Sequence, residues 1–162
     1  MVVAHRSWPR SGTIVKVTTT REAPTRSWPR NAARGLLGGF LVFAGTAHLF
    51  FARDTFQAQV PDWVPLDKDL VVLASGVVEI VLGVALVALY RHKAIVGWIV
   101  AAFFLAVFPG NISQYVTGTD AFGLDTDSAR LIRLFFQPLL IAWALWCTGA
   151  FAALRARSPQ PR

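Results

Sequence analysis

Glu79 stands in the middle of an apolar run, LVVLASGVVEIVLGVALVALY, at residues 70–90. Read as a helix, nine residues past Leu70 carry it about 14 Å along the axis, near the middle of a hydrocarbon layer about 30 Å thick. An ionisable group at that depth costs roughly 2.5–3.5 kcal/mol on insertion, so its presence asks for a reason. An acid there can take up and release a proton, or donate a hydrogen bond to a ligand or to another helix. Ser75, Glu79 and Gly83 recur at four-residue spacing and form one stripe of small and polar groups that faces other helices. A purely structural account of Glu79 is a protonated acid joining two helices.

His48 lies four residues from Ala52 in the preceding apolar run, about 6 Å inside the outer edge and about 8 Å shallower than Glu79. Direct contact between the two asks both side chains to stretch or the helices to tilt; a bridging water or ligand is the alternative. Asn111 follows Pro109-Gly110, where the third run should lose backbone hydrogen bonds, and Gln114 comes three residues later. Gln137 precedes Pro138 in the fourth run, with Arg133 one turn above it on the same face. His48, Asn111, Gln114, Gln137 and Arg133 all fall in the outer half, with Glu79 beneath them, while the inner half is almost wholly apolar. This pattern reads as a polar pocket open to the outer face or outer leaflet, with a carboxyl at its base. In it Glu79 and His48 handle protons or bind ligand, Asn111, Gln114, Gln137 and Arg133 bind it, and no residue is assigned as catalytic.

Four long apolar segments must position these groups, at about 33–52, 70–90, 94–116 and 131–154. The expected fold is all-α: an integral membrane four-helix bundle over residues 33–154, between a disordered basic tail at 1–32 and a short basic tail at 155–162. The first tail repeats Arg-Ser-Trp-Pro-Arg at residues 6–10 and 26–30, and no apolar stretch follows its first basic residues as in a signal peptide. Lysines and arginines fill both tails and the 91–93 loop, whereas the other two loops are rich in aspartate. The positive-inside rule then puts both ends in the cytoplasm, in a multi-pass plasma-membrane topology. The first outer loop, with Phe51, Phe56, Val60 and Trp63, is expected along the outer interface. Asp67 and Asp127 are read as N-caps, and Gly35-xxx-Gly39 as a close-packing motif.

Composition removes several functions. The 162 residues are 54% hydrophobic with a net charge of +7, and the charges are excluded from the four runs. That placement favours a lipid bilayer as partner over nucleic acid. A single cysteine, Cys147, permits neither an intrachain disulfide nor a redox pair, and reads as buried and inert. The three histidines, His5, His48 and His92, cannot form a bis-histidine haem site, since His48 and His92 fall near opposite faces and His5 lies in the tail. No metal site, flavin motif or phosphate loop is evident.

Several motifs, taken in order, resemble the DoxX-like family of small four-helix bacterial membrane proteins. They are Gly45-x-x-His48, Phe56-x-x-x-Val60-Pro61-x-x-x-Pro65, Ser75-Gly76-x-x-Glu79-x-x-x-Gly83, Val107-Phe108-Pro109-Gly110-Asn111-Ile112 and Arg130-Leu131-x-Arg133-Leu134-x-x-Gln137-Pro138. The resemblance covers about residues 34–154. It implies a bacterial plasma-membrane protein, and a link to quinone-dependent oxidoreductases through the subunit that gives the family its name. With no electron carrier of its own, such a chain is expected to be a non-catalytic subunit whose outer pocket takes a quinone headgroup or small anion. A soluble oxidoreductase subunit and further copies of the chain are its expected partners. A small proton-coupled transporter using Glu79, and a structural or assembly protein without ligand, are the alternatives.

Overall fold

The computed structural model describes residues 28–121, 123 and 126–156. The stretch 1–27, with the first Arg-Ser-Trp-Pro-Arg repeat, and residues 157–162 lie outside the described residues, and with them most of the expected tails. Every regular element among the described residues is helical. Helix α1 runs Trp28–Phe50, α2 Arg53–Gln57, α3 Lys68–Ala88, α4 Lys93–Thr117, α5 Asp127–Thr148 and α6 Ala150–Arg155, with one 3-10 turn at Tyr90–His92. Four of them, α1, α3, α4 with its leading turn, and α5, are long and apolar enough to cross a membrane.

The helix ends follow local chemistry, and three differ from expectation. Helix α1 already includes Trp28, the first described residue, inside the segment read as tail. Asp67 caps α3 as expected, its carboxylate accepting from the Leu70 N–H at 3.0 Å. Helix α5 is capped by Thr126 instead of Asp127: the Thr126 hydroxyl accepts from the Ala129 N–H at 3.2 Å. The Asp127 carboxylate turns to the Arg130 guanidinium at 2.7 Å. The fourth apolar run breaks at Gly149, whose φ of 69° ends α5 and starts α6. Pro109 and Pro138 lie inside α4 and α5, which continue through them.

Helices α1 and α3 pack antiparallel through two glycine pairs, Gly38 with Gly83 and Gly45 with Gly76. A Cβ on Gly38 would sit 2.8 Å from the Gly83 carbonyl oxygen, and one on Gly76 would sit 2.7 Å from the His48 Cβ. The expected close-packing motif is corrected: Gly35 and Gly39 are exposed, with nothing within 4 Å of an added Cβ, and Gly38 and Gly45 make the contact instead. Helices α4 and α5 form the second close pair, with Gly97 against Thr148. The hydrophobic core joins the pairs at the end away from the aspartate-rich loops, through Leu37, Leu41, Leu82, Leu86, Val96, Val100, Phe104 and Ala144. Outward faces are apolar as well; Phe43, Val81, Val84, Ile99, Leu105, Phe135 and Leu139 are all exposed. A bundle apolar inside and out fits a hydrocarbon solvent, not water.

Arg30, Arg34, Arg91, Lys93 and Arg155 lie at the end away from the aspartate-rich loops. There the Arg34 guanidinium donates to the Leu86 carbonyl, and Arg34 and Lys93 lie 5.0 and 4.5 Å from the Tyr90 ring centre. At the opposite end α2 and the 58–66 loop fold over the bundle. Gln57 donates to Asp69 at 3.2 Å, and Arg53 approaches the same carboxylate at 3.5 Å. Val60 and Pro61 are buried beneath this cover, while Trp63 stays 70% exposed. Within this loop Val60 therefore turns inward and Trp63 outward.

Candidate functional site

The two glycine pairs bring the backbones of α1 and α3 close enough for long side chains to cross from one helix to the other. His48 stands three residues past Gly45, and Glu79 three past Gly76. Each leans over the glycine of the opposite helix: the His48 Cβ packs on Gly76 and the Glu79 Cβ on Gly45. The axial offset expected between them is spanned by this reciprocal crossing. His48 Nδ1 lies 3.4 Å from Glu79 Oε2 and 3.2 Å from the Ser75 hydroxyl oxygen.

Hydrogen-bond accounting limits the roles of these groups. The Ser75 hydroxyl oxygen also lies 2.9 Å from the Val72 carbonyl, and its one proton serves that carbonyl or His48 Nδ1 according to the imidazole tautomer. Glu79 Oε2 is buried and has no aligned hydrogen-bond partner despite that 3.4 Å approach. Gln59 Nε2, on the covering loop, is likewise buried and unpaired. Unsatisfied buried polar atoms cost about 1–3 kcal/mol each, and two of them beside one cavity call for a partner.

That cavity has a volume of about 950 Å³, at the upper end of the roughly 300–1,000 Å³ typical of ligand pockets. It occupies the half of the bundle nearer the aspartate-rich loops, between the α1/α3 pair and the α4/α5 pair. Its walls are mostly aliphatic and aromatic, and its polar lining comes from His48, Gln59, Ser75, Glu79, Asn111, Arg133 and Gln137. Asn111 donates to the Gln137 side-chain oxygen at 2.9 Å, and the Gln137 amide donates to the Phe104 carbonyl. Phe104 lies next to Leu105, whose carbonyl loses its helical donor at Pro109. The Asn111–Gln137 pair thus ties α4 to α5 where proline loosens α4. Arg133 lines the same wall one turn from Gln137.

Five of the six residues singled out from sequence, Glu79, His48, Asn111, Gln137 and Arg133, share this cavity. Gln114 does not line it. Its side chain turns to the end of α4, donating to the Thr119 carbonyl at 3.3 Å. Three further contributors are Ser75, Gln59 and Phe56, whose ring packs edge-on against His48. Ser75 belongs to the polar stripe visible in the sequence of α3. Gln59 has a weaker signal, a polar residue between the apolar Phe56 and the Val60-Pro61 step. Among the described residues, no group of three His, Cys, Asp or Glu side chains is placed to hold a metal ion.

Residues 37–148 match a family model described as Domain of unknown function (DUF8561), from within α1 to the last residue of α5. The match covers more than half of the chain, which belongs to that family. No curated protein and no solved structure matches it.

Proposed function

We propose that this member of a family without assigned activity is a DoxX-like subunit of a quinone-linked redox system. In this reading it crosses the bacterial plasma membrane four times, and its outer-half cavity binds a quinone headgroup. The orientation rests on Arg30, Arg34, Arg91, Lys93 and Arg155, which gather at one end of the bundle and would lie in the cytoplasm with both termini. The observation that carries the functional reading is a large apolar cavity holding a buried carboxyl, unsatisfied at Oε2, beside an imidazole.

The chemistry of a quinone suits those groups. Its carbonyl oxygens accept hydrogen bonds, which a protonated Glu79, Gln59 Nε2 or a histidine N–H can donate. Reduction adds two electrons and two protons, and the quinol hydroxyls then donate where the carbonyls accepted. Glu79 and His48 can follow that change because each can hold or yield a proton. In this reading the electrons come from a partner, here a soluble oxidoreductase, since a single cysteine gives the chain no redox pair of its own. A transporter is less well supported, because the inner half is closed by Leu37, Leu41, Leu82, Leu86 and Val100, whereas transport needs access from both faces.

Thermal unfolding in lipid nanodiscs with a series of quinones tests the reading. A ligand at about 100 times its Kd stabilises by about 2.7 kcal/mol, a rise of several degrees in Tm. The wild type should show this rise, and Glu79→Gln and Glu79→Ala should lose it. No rise with any quinone in the wild type overturns the proposal. Recovery of a soluble oxidoreductase on the tagged chain from native membranes would separate a redox subunit from an isolated ligand-binding protein.

A further inference from the structure

We infer that the ligand enters the cavity sideways from the lipid, between α1 and α5, and leaves an apolar tail in this side window. This deepens the quinone reading and rests on it. It makes the ligand a single-headed amphiphile whose tail is recognised with its head. Five large lining side chains are more than half exposed: Leu36 at 67% and Phe40 at 51% on α1, Ile132 at 58% and Phe136 at 54% on α5, and Trp63 at 70% on the covering loop. The four on α1 and α5 line the cavity from two neighbouring helices, and none carries a charge. On α3 every lining residue is buried or half-buried, and α4 adds only the small exposed Ala106 and Pro109.

The aqueous end is closed by comparison. Val60 and Pro61 are buried under the cover, and the Phe56 ring lies against His48. The cover is seated on α4 at Gly110, where an added Cβ would fall 2.7 Å from the Gln59 carbonyl oxygen. Toward the opposite end of the bundle the cavity is bounded by the packed core, which includes Leu86, Val96, Val100, Ala144 and Cys147. Polar groups awaiting partners lie at the inside of the window, at Glu79 Oε2 and Gln59 Nε2, and apolar side chains frame its outside. That gradient matches a molecule polar at one end and lipid-soluble at the other.

The probes are a decyl-tailed dimethoxybenzoquinone and the same ring without the tail, titrated against the full chain in phosphatidylcholine nanodiscs. Ala44, on α1 between Phe40 and His48, lines the cavity and is half-buried. Ala44→Leu narrows the window without removing a polar group. It should weaken the tailed quinone by at least about tenfold, the scale of an overpacked apolar contact, and leave the tail-less ring within about twofold. A diazirine at the tail end should cross-link the wild type on α1 or α5. If both probes bind and Ala44→Leu moves neither, or moves both alike, the window is wrong while the quinone reading stands. Cross-links on α3 or α4 would overturn the window in the same way. If neither probe binds the wild type, both proposals fall.

Discussion

Replacing Gly38 with Ala places a methyl group 2.8 Å from the Gly83 carbonyl oxygen and 2.9 Å from a Val87 methyl carbon. Neither neighbour can move freely, since one is backbone and the other is a β-branched side chain at the contact. The helices must separate, and overpacking of this kind costs typically about 1–3 kcal/mol. Alanine also stabilises a helix interior by about 0.5–1 kcal/mol over glycine, which masks part of the loss. Gly35→Ala supplies the control. It lies on the same helix, gains the same propensity and meets nothing within 4 Å. The difference between the two variants therefore isolates packing, and Gly38→Ala should be less stable than Gly35→Ala by about 1–3 kcal/mol. Equilibrium unfolding in mixed micelles reads that difference. Equal stabilities, or a less stable Gly35→Ala, would refute the glycine register and with it the reciprocal placement of His48 and Glu79.

Three further outcomes follow from other contacts. Asn111→Ala should cost about 1–3 kcal/mol because it leaves the buried Gln137 oxygen without its donor; a double-mutant cycle with Gln137→Leu should show coupling, and strict additivity would contradict the pair. Thr126→Ala should cost about 1 kcal/mol as a lost cap, more than Asp127→Ala, with helix-end hydrogen exchange as the readout. The Lys68 ammonium, hydrogen-bonded to Asp62 at 2.6 Å, holds that carboxyl below its ordinary value of 3.8. Because the folded value is depressed, the pair's contribution is present above the unfolded pKa and fades as pH falls through the folded one. Carboxyl NMR should find the Asp62 titration below the ordinary range, and Lys68→Met should return it there.

The parts of this molecule that are legible in its sequence are those governed by one strong local force. Glu79 stands out because a charge in an apolar run is expensive wherever the chain folds, and the four long helices follow from the same segregation. Asp67 is readable as a cap because no rival stands beside it. At the start of α5 two competent caps adjoin, and the choice of Thr126 depends on Arg130 drawing Asp127 away, a contact that spacing alone does not rank. The glycine register is hidden for a related reason. Gly35-xxx-Gly39 is the familiar local pattern, yet the packed glycines are seven apart on both helices, 38 and 45 against 76 and 83, and the match appears only when the helices are laid antiparallel. Axial depth alone separates His48 from Glu79, because it treats side chains as points on separate axes; close backbone approach lets them cross. Gln59 enters through the fold of a loop, which no periodicity describes.

The central claim is that the His48 imidazole and the Glu79 carboxyl meet inside one ligand-binding cavity. Nitrogen–carbon dipolar recoupling between labelled histidine and glutamate, on the chain in lipid bilayers, tests it most directly. The expected result is a His48 Nδ1 coupling to the Glu79 carboxyl at direct-contact range, in keeping with the 3.4 Å approach to its oxygen. The tailed quinone should also shift both resonances together. The absence of that coupling, or resonances that stay fixed at saturating quinone, would contradict the claim.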